Sequence, residues 1–368
     1  MEMTTTTLYI TSPVYVPDDN GSVYTDEYYE LKKSLKNMSL VIYCLAFVLG
    51  VLGNGAVIWV TGFKMKKTVN TVWFLNLAVA DFLFTASLPL RVTSTAMDYH
   101  WPFGKFMCKL NSTMSYLNIF VSVFSLMVIS VDRCVSVVWP VWAQNHRNAR
   151  KASFMCLGVW GLALILSSPY FVFRDIRKYN STVISCYINY DRSGESEPAW
   201  ATTSMGKFNS RALSISHFLL GFAIPFTVIV ICYGVIIHRL KKNRTLASQS
   251  TRTFKIIVAV IVTFFFCWAP YHILSVLHMI HVETGYQSEK LESVLNWFPI
   301  SNSLAFINSA LNPLLYVFVG QDYRDRVCIS ILKRLEAAFR EDQSSYQSDS
   351  CTMNTCKTNA RPFLNTVE

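Results

Sequence analysis

Seven nearly unbroken apolar stretches run along the chain, near residues 38–63, 71–96, 106–138, 151–172, 211–239, 253–281 and 293–318. Each approaches the ~20 residues that a helix needs to cross a hydrocarbon core. Lipid offers no partner for an unpaired peptide group, so such segments must be helical. The pattern predicts an all-α membrane protein, a seven-transmembrane helix bundle over 38–318. Residues 1–37 read as a disordered acidic tail, with Asp18, Asp19, Asp26, Glu27 and Glu30 and no basic residue before Lys32. Over 319–340, Tyr323, Val327, Ile331, Leu332, Leu335 and Phe339 recur at helical spacing against Arg324, Lys333 and Arg334. That is the pattern of an amphipathic eighth helix lying on the membrane surface among its lipids. Residues 341–368 read as a disordered, Ser/Thr-rich tail, in which Ser344, Ser345, Ser348 and Ser350 are candidate phosphorylation sites.

Composition supports the membrane reading. Hydrophobic residues make up 52% and charged residues 15% of 368, and the mean hydropathy is +0.31. The net charge of +10 raises nucleic acid as a partner, but the basic residues sit in short clusters between apolar spans, so none is expected. Lys64, Lys66 and Lys67 follow the first span, Arg147, Arg150 and Lys151 the third, and Lys241, Lys242, Arg244 and Arg252 the fifth. The positive-inside rule places these in the cytoplasm and the N-terminus outside the cell, in a multi-pass plasma-membrane protein. The basic residues of 173–210 weaken the rule there, but long loops count for less. No apolar leader with a cleavage site precedes the first span, which is expected to act as the insertion signal. Asn20 and Asn180 are the plausible glycan sites; Asn37, Asn111 and Asn243 match the same triplet in less favourable places.

The polar exceptions inside the spans carry the function. Asn54, Asp81, Asn308 and Asn312 fall at mid-membrane depth, where an amide or a carboxylate is costly and faces the bundle interior. Pro313 frees a backbone carbonyl, which a neighbouring helix or water must satisfy. Asp132 and Arg133 end the third span, Trp268 and Pro270 lie in the sixth, and Tyr316 follows Asn312-Pro313 in the seventh. Together these residues resemble the rhodopsin-like (class A) G-protein-coupled receptors, over almost the whole chain. Phe63 to Asp81, His100 to Gly104, Pro140 to Arg147 and Gly320 to Tyr323 look like the chemoattractant branch of chemerin, formyl-peptide and complement-anaphylatoxin receptors. Ser167 to Asp175 and Met97 to Trp101 are most similar to the chemerin receptors.

The resemblance implies a receptor and not an enzyme; no phosphate loop, nucleophile elbow or zinc spacing is present in the sequence, and no catalytic residue or organic cofactor is expected. It implies that Asp132 holds Arg133 at rest, that Arg133 when released reaches Tyr233, Tyr316 and a G protein, and that Trp268 and Pro270 form the sixth-helix switch. A plain positive-inside anchor is the simpler reading of Arg133. An allosteric sodium ion is implied among Asp81, Asn118, Ser122 and Asn308, against the alternative that these groups only hold helices together. Cys108 and Cys186 are the two of ten cysteines placed outside, and are expected to pair. Arg174, Arg91 and Arg211, with His217 deeper and Tyr116, Tyr271 and Phe298 alongside, are expected to hold the carboxylate of an extracellular peptide or small protein. Two departures bear on its identity. Tyr116 replaces the Asp of the formyl-peptide receptors, and His217 replaces an Arg of the chemerin and formyl-peptide receptors. Inhibitory-class heterotrimeric G proteins, arrestin and receptor kinases are the implied partners. An acidic lipid mediator as ligand, and a non-signalling decoy or scavenger receptor, remain as alternatives. A transporter or channel is disfavoured, since no internal repeat is seen in the sequence.

Overall fold

The computed structural model describes residues 26–178, 183–190, 204–242, 251–284 and 294–319. Helix α1 (Asp26–Trp59) ends in a π-helical turn, Val60–Lys64. It is followed by α2 (Val69–Ala96), α3 (Gly104–Val138), the short α4 (Pro140–His146) and α5 (Ala149–Phe173). Strands β1 (Arg174–Lys178) and β2 (Ile184–Ile188) come next. The fifth span is built from α6 (Ser204–Phe218), a π-helical turn at Leu219–Ala223, and α7 (Ile224–Lys242). Helices α8 (Thr251–Thr284) and α9 (Phe298–Val319) complete the bundle. Six helices among the described residues are long and apolar enough to cross a membrane, and the 22-residue α9 is the seventh long helix.

The starts of these helices are readable locally. Thr68 and Thr71 form a reciprocal capping box at α2, and the Asn148 side chain accepts from the Lys151 amide at α5. Pro140 opens α4, where its missing N–H costs nothing. The first helix begins at Asp26 rather than near residue 38, so part of the expected disordered tail is helix, and Asn37 lies exposed within it. The fifth helix likewise begins at Ser204 rather than near 211. Residues 1–25, 179–182 and 320–368 lie outside the described residues, and with them Asn20, Asn180, the eighth helix and the serine cluster.

Packing is inverted relative to a water-soluble protein. Leu52, Ile165 and Phe266 point outward, between 69% and 72% exposed. The interior carries polar groups: Asn54, Asp81, Asn118, Ser122, Asn308 and Asn312 are all buried. That is the economy of a bundle in lipid, where apolar surface gains nothing by facing inward. Helix α3 runs through the centre, every side chain from Ser115 to Leu126 being buried; it packs on α2, α5 and α7. Helix α1 packs on α2 and α9, and α8 on α9. Close approach of α1 depends on glycine. A Cβ at Gly50 would fall 2.4 Å from the Thr85 side chain, and one at Gly53 would fall 2.9 Å from Pro313.

Two of the prolines inside the helices are compensated by side chains. Pro169 leaves the Ile165 carbonyl without its helical partner, and the Ser168 hydroxyl donates to it at 2.8 Å. Pro313 does the same to the Ser309 carbonyl, and Asn54 Nδ2 of α1 donates to it at 2.9 Å. The neighbouring-helix rescue expected for Pro313 is therefore present, with Asn54 as the rescuer.

Candidate functional site

Polar residues gather at three depths along the bundle. At one end, β1 and β2 form an antiparallel hairpin with Ile176 opposite Cys186. Cys186 is disulfide-bonded to Cys108 of α3, with the Cα atoms 5.7 Å apart. Trp101 packs against this disulfide, its amide donating to the Ile184 carbonyl at 2.8 Å. The expected pairing of Cys108 and Cys186 is thus formed; the hairpin it anchors was not foreseen. The hairpin brings Arg174 inward. Only 1% exposed, Arg174 opens β1 and donates to the Cys186 carbonyl at 3.5 Å. Burial pushes its guanidinium pKa down, and Arg91 pushes in the same direction, while the tyrosines 116, 190 and 271 act the other way. Arg91 of α2, 8% exposed, lies over the Phe306 ring at 4.8 Å.

Below the arginines is an aromatic layer. Tyr116 stacks on Tyr170 with ring centroids 3.2 Å apart, and meets His217 edge-on at 5.2 Å. Tyr271 meets Phe298 at 6.1 Å and His217 at 5.8 Å. The structure therefore brings together Arg91, Arg174, Tyr116, His217, Tyr271 and Phe298 from five helices and the hairpin. Arg211 is exposed on α6. It lies six residues before His217, roughly 240° around the helix, so the two cannot share a face. Tyr170 and His272 belong to the layer and were not picked out from the sequence. An aromatic or a histidine in an apolar helix gives no sign of which way it points. Trp268 lies beneath, buried against Phe264 at 6.0 Å and Tyr271 at 5.9 Å, two residues before Pro270.

The middle depth is a polar knot around Asp81, which has no exposed surface. Asn312 Nδ2 donates to Asp81 Oδ2 at 2.7 Å. With its amide turned to face the carboxylate, Asn118 donates to Asp81 Oδ1 at 3.3 Å and accepts from Ser309 Oγ at 3.0 Å. Ser122 Oγ, Asn308 Oδ1 and Asn312 Oδ1 are enclosed without a hydrogen-bond partner. A lone carboxylate with neutral oxygens that lack donors is a set suited to a hard monovalent cation. Ser309, whose Oγ and carbonyl join α3 and α1 to this knot, was missed in the sequence because one serine among many carries no signal. A second network lies nearby: Asn76 donates to Ser125 Oγ at 2.6 Å and accepts from Trp160 Nε1 at 2.7 Å.

At the opposite end, Asp132 and Arg133 form the expected ion pair only at long range, and a second arginine is the closer partner. The Asp132 carboxylate is held by Arg147, with Nε–oxygen distances of 2.8 and 3.1 Å and an Nη2–oxygen distance of 2.9 Å. Arg133 Nε stands 3.9 Å from the same carboxylate. The guanidinium instead donates to Asn70 Oδ1, which also accepts from Arg147 at 2.9 Å. The reason is geometric. Successive residues on a helix diverge by about 100°, so Asp132 cannot face its neighbour squarely, whereas Arg147 reaches it from the end of α4. Tyr233 approaches Ser130 and Arg133. Tyr316 is on the last turn of α9, where the side chains lie outside the described residues.

These observations define a class. Residues 53–316 match the 7 transmembrane receptor (rhodopsin family) profile, and the chain belongs to that family, as a multi-pass membrane receptor and not an enzyme. Within it the chain resembles chemoattractant receptors. It is 45% identical to chemerin-like receptor 1 of Homo sapiens over 315 residues, covering 84% of this chain and 82% of that one. It is 42% identical to the C3a anaphylatoxin chemotactic receptor of Danio rerio over 339 residues, covering 88% and 87%. With N-formyl peptide receptor 3 of Pongo pygmaeus it shares 39% identity over 329 residues, covering 88% and 90%.

Proposed function

We propose that this receptor lies in the plasma membrane with its N-terminus and its disulfide-bonded hairpin outside. It takes the C-terminal end of a peptide or small protein of the chemerin type, and signals through an inhibitory-class heterotrimeric G protein. Receptor kinases and arrestin would end the signal. The orientation is supported by where the cations fall: Lys64, Lys66, Lys67, Arg147, Arg150, Lys151, Lys241 and Lys242 all sit at helix ends or in connections on the Arg133 side of the bundle.

The single observation that carries the ligand reading is the convergence of two buried guanidiniums, Arg91 and Arg174, on one tyrosine-rich layer behind the disulfide. Cations above an aromatic floor suit a ligand with an apolar body and a terminal carboxylate, which a guanidinium holds by two parallel hydrogen bonds. On the opposite face, a bend of α8 about Pro270 would open a cleft beside Arg133 for the G protein. The Asp81 knot is suited to sodium, with Asp81, Asn118, Ser122, Asn308 and Asn312 as the residues that would hold it. Such an ion supplies countercharge to a buried carboxylate. Favouring one bundle arrangement, it would couple to the ligand by linkage.

The test uses a synthetic peptide from the C-terminus of chemerin, as free acid and as amide. Arg174→Ala should weaken the acid roughly ten- to a hundredfold, since a hydrogen bond to a charged group contributes roughly 1.5–3 kcal/mol. The amide should be weak on the wild type and lose little more on the variant. Equal losses for acid and amide would mean that Arg174 only braces the Cys186 carbonyl. A response to an acidic lipid but to no peptide would overturn the ligand class.

A further inference from the structure

His217 of α6 and His272 of α8 face each other across the fifth and sixth spans, with ring centroids 5.0 Å apart and planes tilted by 40°. They are 5% and 1% exposed. The Nε2 atom of each is enclosed and has no hydrogen-bond partner. Such a nitrogen is costly to bury, and two on neighbouring helices at one depth call for a reason. Their neighbours are ring contacts, with Phe222 meeting His272 at 4.7 Å and Tyr116, Tyr271 and Phe120 meeting His217 at 5.2, 5.8 and 5.9 Å, and none of these bonds to either Nε2. Aromatic packing alone would be served as well by two phenylalanines.

The geometry points to a shared cation. Imidazole nitrogens bind zinc at ~2.0–2.1 Å, and each ring centre lies about 1.1 Å behind its nitrogen, so two rings on one tetrahedral ion have centres about 5 Å apart. The separation here matches. A pair of imidazoles selects borderline late first-row ions over magnesium or calcium.

We propose that His217 and His272 form a two-imidazole site for a zinc-like divalent cation, with the remaining coordination positions taken by water or by a ligand group from the layer above. The ion would tie α6 to α8 at their present separation. Gly221, in the π-helical turn, makes room for the site. A Cβ there would stand 3.3 Å from His217 Cδ2 and 3.6 Å from Nε2, so a side chain would crowd the imidazole by a few tenths of an ångström. The proposal stands independently of the identity of the receptor's ligand.

The experiment uses the full-length purified receptor, stripped with EDTA and titrated with Zn2+ or with Mg2+. Zn2+ should raise the unfolding temperature and bind calorimetrically; Mg2+ should do neither. His217→Phe and His272→Phe should each lower Zn2+ affinity by at least about tenfold, while replacing the exposed His146 with Gln should leave it unchanged. Cu2+ bound to the unaltered receptor should show nitrogen hyperfine structure from two imidazoles, a readout that survives even if a variant fails to fold. Zn2+ stabilisation that persists in either phenylalanine variant, or a copper spectrum with fewer than two coupled nitrogens, overturns the proposal.

Discussion

Replacing Arg147 with Met removes the main partner of Asp132 while keeping an apolar stem of similar length. The contact comprises three N–O approaches of 2.8, 3.1 and 2.9 Å. The Arg147 and Asp132 side chains are 27% and 12% exposed. Exposed ion pairs contribute ~0–1 kcal/mol, and hydrogen bonds to charged groups contribute roughly 1.5–3. Partial burial places this one between, at about 1–2 kcal/mol, a factor of roughly 5–30 in an equilibrium. With Arg147 gone, the nearest cation to Asp132 is Arg133, now at 3.9 Å. The two should close up and withhold Arg133 from a G protein. Ligand-independent nucleotide exchange on an inhibitory-class heterotrimer, measured with receptor in lipid nanodiscs, should fall by up to that factor. Asp132→Asn should act in the opposite sense, since neither arginine then meets a carboxylate there, and exchange should rise. Opposite signs are the signature of competition for one carboxylate. If both variants shift exchange the same way, Arg147 is only a brace between α4 and α3, and the reasoning fails.

Three further outcomes follow from the interior. Sodium should stabilise the purified receptor against heat more than choline at equal ionic strength, and Asp81→Asn should remove the difference; a sodium effect that survives the variant places the ion elsewhere. Asn76→Leu leaves Trp160 Nε1 and Ser125 Oγ without the partners they have at 2.7 and 2.6 Å. Hydrogen bonds in bilayers average about 0.6 kcal/mol and reach about 1.7, so a loss of roughly 1–3 kcal/mol for the two is expected, read as thermal unfolding, and no loss would mean that water replaces the amide. Gly221→Ala should disturb His217 without touching the Arg133 end, weakening Zn2+ binding while nucleotide exchange in the absence of zinc stays near the wild-type rate.

The seven spans, the disulfide and the depth of the polar residues were legible along the chain. Length and hydropathy oblige an apolar segment in lipid to become a helix, and Asp81, Asn312 and Pro313 stand out because their presence in hydrocarbon needs a partner. Which partner was left to the tertiary structure. Asn54 reaches the carbonyl that Pro313 frees from 255 positions away, and Arg147 takes the carboxylate that adjacency appeared to reserve for Arg133. The hairpin that turns Arg174 inward, the exposure of Arg211 and the meeting of His217 with His272 were equally hidden. The physical reason is common to all of them. A helix in lipid is apolar on its outer face as well as its inner one, so hydropathy marks where it crosses but not how it is rotated. Rotation is settled by small residues such as Gly50 and Gly53 that let helices approach, and by the few polar contacts that only one packing can satisfy.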